Sequence, residues 1–255
     1  MKIVKYGEGR RQEYAEKRLS TLSSGARQTA ERLILLPIPT TRDGVHLSGC
    51  KTLISDVLWD VTEKDAVVGY AITREDREII EASGGVCIDL SCDEIFLAEN
   101  ATLTALGAVG YVLTELSRSV DELIFGIVGY GRIGERVVAY LTALGADVVV
   151  YTSKNATRVA LGACGIRTEV YDRGEGVLDI LPNIDVLINT APIPLGRSFR
   201  EGVIPDGLSV IELASGNNFE GVEGVVRLPS LPERVYPDSA AEVYYRALLR
   251  GLEAI

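Results

Sequence analysis

Histidine is nearly absent from this chain. His46 is the only one in 255 residues, and it stands in an early stretch, TTRDGVHLSG, as a loop residue. Reactions that pass a proton through a histidine–carboxylate pair late in the chain, as 2-hydroxy-acid dehydrogenases do, are therefore disfavoured. A Ser–His–Asp hydrolase is excluded on the same ground. Homocysteine hydrolases need several His, Lys and Asp groups and a much longer chain. Cysteine is sparse too: Cys50, Cys87, Cys92 and Cys164 show no zinc-like or C-x-x-C spacing, so no metal site is expected. Cys87 and Cys92 flank an apolar strand and read as buried thiols. No apolar run approaches the roughly 18 residues that span a bilayer. The start, MKIVKYGEGRRQEY, turns polar too early for a signal peptide. The expectation is a cytoplasmic protein with no membrane contact. Positive charge is also short: 26 Lys and Arg stand against 36 Asp and Glu, a net charge of -10. That balance argues against nucleic acid, and it gives no long-range attraction for anions, which must be caught locally by Arg, Lys or backbone amides.

What is present is an alternation of short apolar runs with amphipathic segments, the pattern of an α/β fold with parallel sheets. The first part reads as strands at Lys2–Tyr6, Leu33–Leu36, Thr52–Ile54, Ala66–Tyr70 and Val86–Leu90, with helices at Arg10–Ser23 and Arg74–Ala82. A mostly apolar helix, Asn100–Leu116, separates it from a second series of strands: Leu123–Val128, Asp147–Tyr151, Arg167–Val170, Val186–Asn189 and Ser209–Leu213. The amphipathic segment Ser239–Leu252 closes the chain, with a start signal at Pro237 and Asp238. The expected architecture is two Rossmann-like lobes joined by a linker helix. The first, residues 1–98, is the substrate side, against which the helix in 238–255 is free to pack. The second, residues 99–237, holds the linker helix and a dinucleotide-binding domain.

The strongest motif is Gly129-Tyr130-Gly131-Arg132-Ile133-Gly134, between the buried strand LIFGIV and the helix RIGERVVAYLTALG. Gly129 permits the turn, Gly131 lets backbone approach a pyrophosphate, and Gly134 allows close helix–strand packing. The helix start supplies amide donors for the phosphates. At the end of the next strand, where an NAD site places an acid, the chain reads Tyr151, Thr152, Ser153 and Lys154, with Arg158 a helical turn on. Hydroxyls and cations there suit a 2′-phosphate and favour NADP over NAD. Asn189, Thr190, Ala191 and Pro192 follow the fourth strand, and Ala214 and Ser215 the fifth. Both loops fall at the C-terminal edge of the sheet, where cofactors bind. With acid–base residues so few, the chemistry has to need little proton transfer, and oxidation to an aromatic product qualifies.

Taken in order, these stretches resemble the dipicolinate synthase A chain family along almost the whole sequence. IVKYGEGRRQEYAEKRL is similar to its opening strand, glycine turn and Arg-Gln helix; LPIPTTRDGV to its Leu-Pro strand end and loop; ENATLTALGAV to its linker helix. INTAPIP, IELAS and LPSLPERVYPDSAAEVYYRAL follow in place. Leu103 and Leu106 stand where the family has Pro and Glu. The resemblance implies oxidation of dihydrodipicolinate to dipicolinate by hydride transfer to NADP+ in a cleft between lobes, alongside a flavoprotein B chain, in the mother cell of spore-formers. It implies donors for a small dicarboxylate, with candidates at Arg11, Thr40, Thr41, Arg42, Thr104, Ser230 and Arg234. Asp43 is the candidate base, and Thr104 a second catalytic candidate. A homodimer is the default assembly. Two alternatives stay open: an NADP-linked reductase of another small imine or keto acid, kept alive by Leu106, and a non-catalytic nucleotide-binding component of a flavoprotein complex.

Overall fold

The structure, a computed structural model, describes residues 2–7, 9–20, 30–171, 178–180 and 182–254. In chain order its elements are β1 (Lys2–Lys5), α1 (Arg10–Ser20), β2 (Arg32–Leu35), α2 (Ile54–Trp59), β3 (Asp65–Gly69), α3 (Arg74–Ala82), β4 (Val86–Asp89) and α4 (Glu94–Glu115). Then come β5 (Ile124–Val128), α5 (Arg132–Ala143), β6 (Asp147–Thr152), α6 (Asn155–Ala163), β7 (Arg167–Val170), β8 (Val186–Asn189), β9 (Ser209–Glu212), β10 (Val226–Arg227), α7 (Leu231–Val235) and α8 (Pro237–Glu253). The chain forms two compact units. One takes the chain up to Asn100 and again from Pro232, and the other is Ala101–Leu231. Both are α/β units with parallel sheets.

The first unit holds a four-stranded sheet in the order β1-β2-β3-β4, with every pairing parallel. Gln12, buried in α1, donates from Nε2 to the carbonyls of Tyr6, Leu35 and Leu36, at 3.1, 3.3 and 2.8 Å. It thereby ties the start of α1 to the C-terminal ends of β1 and β2. α8 packs along α1: Tyr14 and Tyr245 meet edge to face at 6.2 Å, and the Tyr14 hydroxyl donates to Glu242 Oε2 at 2.6 Å. Ala240, Ala241, Tyr244 and Leu248 are buried behind that contact.

The strand expected at Thr52–Ile54 is a helix instead. Only Leu53 keeps a strand-like bridge, to His46, and α2 begins at Ile54. The reason lies in spacing: Ile54, Val57 and Leu58 recur at three and four residues and all enter the core, each burial contributing about 1.5–3 kcal/mol. The linker helix starts six residues earlier than its apolar run, at Glu94, because the Asp93 carboxylate accepts from Phe96 N at 2.9 Å and caps it. Residues 21–23 of the helix expected to end at Ser23 lie outside the described residues. Cys92 is exposed rather than buried, because it sits on a single turn after β4, and Cys164 is exposed as well. Burial pushes the Cys87 thiol up to about 11.

The second unit holds six parallel strands in the order β10-β9-β8-β5-β6-β7. From β5 the chain moves out through β6 to β7, then returns to β8 on the other side. The strand order therefore reverses between β5 and β8, which opens a crevice at their C-terminal ends. Alternate strand residues fill two cores. Ile127, Val148, Val150, Ile188 and Ile211 face α4 and α5, while Val128, Val149, Tyr151, Leu187 and Val210 face Phe199 and Phe219. Burial on both faces is why these strands read as continuous apolar runs. α4 has the length and mean hydropathy of a bilayer span, contrary to the reading from uninterrupted apolar runs. Its Ala105, Ala108, Val109 and Val112 face nevertheless lies in this core.

Candidate functional site

Two concave sites stand out, one in each unit. The second unit's pocket, about 190 Å3, lies at the β5/β8 reversal and is lined by Gly129–Gly131, Tyr151–Lys154, Tyr171 and Thr190–Ile193. The three glycines have different surroundings. A Cβ on Gly134 would collide with the Gly129 carbonyl oxygen and lie 2.8 Å from Thr190 Oγ1, and one on Gly129 would lie 2.8 Å from Ala191 Cβ. Both positions serve close packing, and Gly129 also needs its φ of +89°. A Cβ on Gly131 would meet nothing within 4 Å. Gly131 caps α5, and the first turn of a helix points its amides out of the helix rather than at its own carbonyls. Open space before the start of α5 fits a dinucleotide pyrophosphate.

Thr190 Oγ1 donates to the Val128 carbonyl at 2.9 Å and so holds the β8 loop against the end of β5. Asn189 is fully buried. Its Oδ1 accepts from Ala191 N at 3.1 Å and its Nδ2 donates to Glu212 Oε1 at 3.0 Å. Glu212 Oε1 also accepts from Ala214 N at 2.8 Å. The pair thus braces both loops, and Asn189, Ala214 and Ser215 stand behind the pocket wall rather than in it. Burial raises the pKa of Glu212 above the ordinary range, against its hydrogen bonds. Glu212 was not among the residues singled out from sequence, although an acid inside the apolar run VIEL signals it. Tyr171 and Ile193 in the pocket wall were also missed. Thr152, Ser153 and Lys154 all line the pocket. The Thr152 hydroxyl accepts from Lys154 N at 3.2 Å, and the Ser153 and Lys154 side chains are exposed. Arg158, half-buried on α6, does not line the pocket.

The first unit's cavity is larger, about 640 Å3, and opens at the C-terminal ends of β1 and β2. Its lining includes Gly7, Gly9, Arg11, Gln12, Arg42, Ser48, Glu233 and Tyr244. Arg11 is 6% exposed; it donates from one terminal nitrogen to Asn100 Oδ1 at 3.0 Å, and its Nε lies 3.3 Å from Glu233 Oε1. Burial lowers the pKa of this guanidinium, although Glu233 opposes the effect. Arg11 Nε, Ser48 Oγ and the Tyr244 hydroxyl are buried and make no hydrogen bond among the described residues. Burial raises the Tyr244 pKa, which keeps the phenol a donor.

Of the substrate candidates, only Arg11 and Arg42 reach this cavity. Thr40 is engaged elsewhere: its Oγ1 accepts from Tyr70 N at 2.8 Å, and its carbonyl accepts from Ser48 N at 2.9 Å. Gly69 makes room for that clasp, since a Cβ there would lie 2.6 Å from Thr40 Oγ1. Thr41 pairs with Leu47 across the loop. Arg234 is exposed and belongs to the first unit, not the second, and its neighbour Glu233 is the residue that lines the cavity. Ser230, with φ +54°, and Thr104, buried on α4, belong to the second unit and line neither site. Asp43 makes a poor base. Its carboxylate accepts from His46 N at 2.7 Å and Val45 N at 2.8 Å and meets His46 Nδ1 at 2.8 Å, contacts that hold it well below the usual carboxylate range.

The reversal point, the glycine turn and the open α5 start define a dinucleotide-binding domain of the dehydrogenase type. Residues 111–194 match the family described as D-isomer specific 2-hydroxyacid dehydrogenase, NAD binding domain. The match stops at that domain, which contains no histidine. The whole chain is similar in fold to the A chain of dipicolinate synthase from Bacillus halodurans, with 20% identity, 98% of this chain and 97% of that one covered, and a TM-score of 0.73. The A chain of dipicolinate synthase from Bacillus subtilis matches at 18% identity over 100% and 97%, again with a TM-score of 0.73. A transhydrogenase from Sinorhizobium meliloti matches at 15% over 99% and 94%, with a TM-score of 0.56. Comparison with curated protein sequences returns no match.

Proposed function

We propose that the chain is an NADP-dependent oxidoreductase that converts a small cyclic imino dicarboxylate, dihydrodipicolinate, into its aromatic pyridine product. The observation that carries this reading is the pairing, in one chain, of a pocket with an open glycine cap and a cavity rich in unsatisfied donors. The fold shared with the dipicolinate synthase A chains supports the choice of substrate. Gly131 and the α5 amides would hold the pyrophosphate, and Thr152, Ser153 and Lys154 the 2′-phosphate. When bound, the dinucleotide supplies the hydride acceptor. In the first unit Arg11, at 6% exposure, offers its guanidinium to a substrate carboxylate, and Tyr244 and Ser48 offer hydroxyl donors. Conversion of a dihydropyridine to a pyridine removes one hydride and one proton. Aromatic stabilisation makes that proton easy to lose, which suits a cavity whose lining contains no histidine.

The test is anaerobic turnover of the purified chain with freshly made dihydrodipicolinate and NADP+ or NAD+, following reduced nicotinamide and dipicolinate separately. Both products rising together, faster with NADP+, support the reading. NADPH binding without turnover, even after a flavoprotein partner is added, would sink the substrate assignment.

A further inference from the structure

The first unit's cavity is not lined by donors alone. Glu233 places a carboxylate among them, with its side chain about one-third exposed and Oε1 3.3 Å from Arg11 Nε. That contact is an ion pair without a hydrogen bond, since Arg11 Nε has none. The guanidinium does not present its two-nitrogen fork to Glu233, because one terminal nitrogen is turned to Asn100. Among the described residues Glu233 makes no hydrogen bond. It lies against the glycine turn before α1, where a Cβ on Gly9 would be 4.0 Å from Glu233 Oε1. Among the described residues, two cations, Arg11 and Arg42, and one anion therefore face the same space as the Tyr244 and Ser48 hydroxyls. A ligand with carboxylates alone would satisfy the cations and hydroxyls but leave Glu233 facing like charge.

We infer that the cavity selects a small dicarboxylate whose ring nitrogen carries a proton, a cyclic amine or iminium, with Glu233 accepting that N–H and Arg11 and Arg42 taking the carboxylates. This deepens the proposed function and rests on it. Glu233 is on this view a specificity-determining residue: it favours nitrogen over the carbonyl oxygen of a keto acid. It also loosens the grip on a pyridine product, whose nitrogen has no proton to donate.

Three six-membered-ring probes whose two carboxylates flank one ring position test this on the full chain by calorimetry at neutral pH: piperidine dicarboxylate, with a protonated nitrogen at that position; isophthalate, with no nitrogen; and dipicolinate, with an unprotonated one. The expected result is piperidine dicarboxylate binding at least about tenfold more tightly than isophthalate, as for a charge-assisted hydrogen bond. Glu233→Gln should bring the two within about threefold and tighten dipicolinate, whereas Glu233→Asp, which keeps the charge, should preserve the order. Raising the pH through the amine's own pKa should weaken only the piperidine probe, a readout that needs no variant. Equal binding of all three probes, or a ratio unchanged in Glu233→Gln, overturns the role of Glu233 and leaves the dicarboxylate cavity standing. Failure of all three to bind while NADPH still does overturns the substrate reading beneath it.

Discussion

Glu212 carries a carboxylate where the fold excludes water, and its protonation couples to stability. Burial holds its pKa above the ordinary 4.5, so the folded chain binds this proton more tightly than the unfolded chain does. The stabilisation is complete below the unfolded value and is lost as pH rises through the raised folded value. Glu212→Gln keeps an acceptor for Asn189 and Ala214 without the charge. Thermal melting of this variant should show a flatter slope from about pH 4.5 upward and, at pH 8, a Tm no lower than that of the parent chain. At the other wall of the pocket, Lys154 is exposed beside Ser153. If it meets a 2′-phosphate, Lys154→Ala should weaken NADPH by about tenfold or more, as for a hydrogen bond to a charged group, and leave NADH nearly unchanged. Equal weakening of both in a dye-displacement titration would remove the NADP preference.

The glycine turn between β5 and α5 separates binding from folding within one element. Gly131 faces open space and Gly134 faces the Gly129 carbonyl and Thr190. Gly131→Val should keep the melting temperature within a few degrees while dinucleotide binding falls by at least about tenfold, because the branched side chain occupies the phosphate's approach. Gly134→Ala should cost about 1–3 kcal/mol, since backbone has to shift, and should show that cost in denaturant without any ligand. The G-x-G-x-x-G spacing between strand and helix made this element readable. The same spacing separates Gly131 from the two packing glycines, but it does not say what Gly129 and Gly134 pack against, because Ala191 and Thr190 come some sixty residues on. α2 was misread for a related reason: three residues of apolar run do not distinguish a strand from the first turn of a helix.

In the whole molecule, the chain crosses into the second unit and returns, so the first unit is completed only by its last twenty-odd residues. A chain ending at Tyr236 would lose Ala240, Ala241, Tyr244 and Leu248 from the packing against α1. The expectation is loss of the first unit's folding, seen as rapid proteolysis of residues before Asn100, with residues 101–231 still protected. Equal protection of both segments would mean that α8 is dispensable to the first unit.

Local chemistry was enough for much of this. The alternation of apolar runs and amphipathic helices, the glycine turn and the Thr152–Lys154 strand end are encoded within a few neighbouring residues, and they point to a dinucleotide-binding α/β chain before any contact is known. The cavity in the first unit is different. Arg11, Ser48, Glu233 and Tyr244 are separated by up to 233 positions and come together only when α8 lies against α1 and the loop after β2 lies against Gly7. From sequence, Arg11 is one arginine among many and Thr40 looks as available as Ser48. Only burial and hydrogen bonding separate a donor left open to a ligand from one engaged by its own fold.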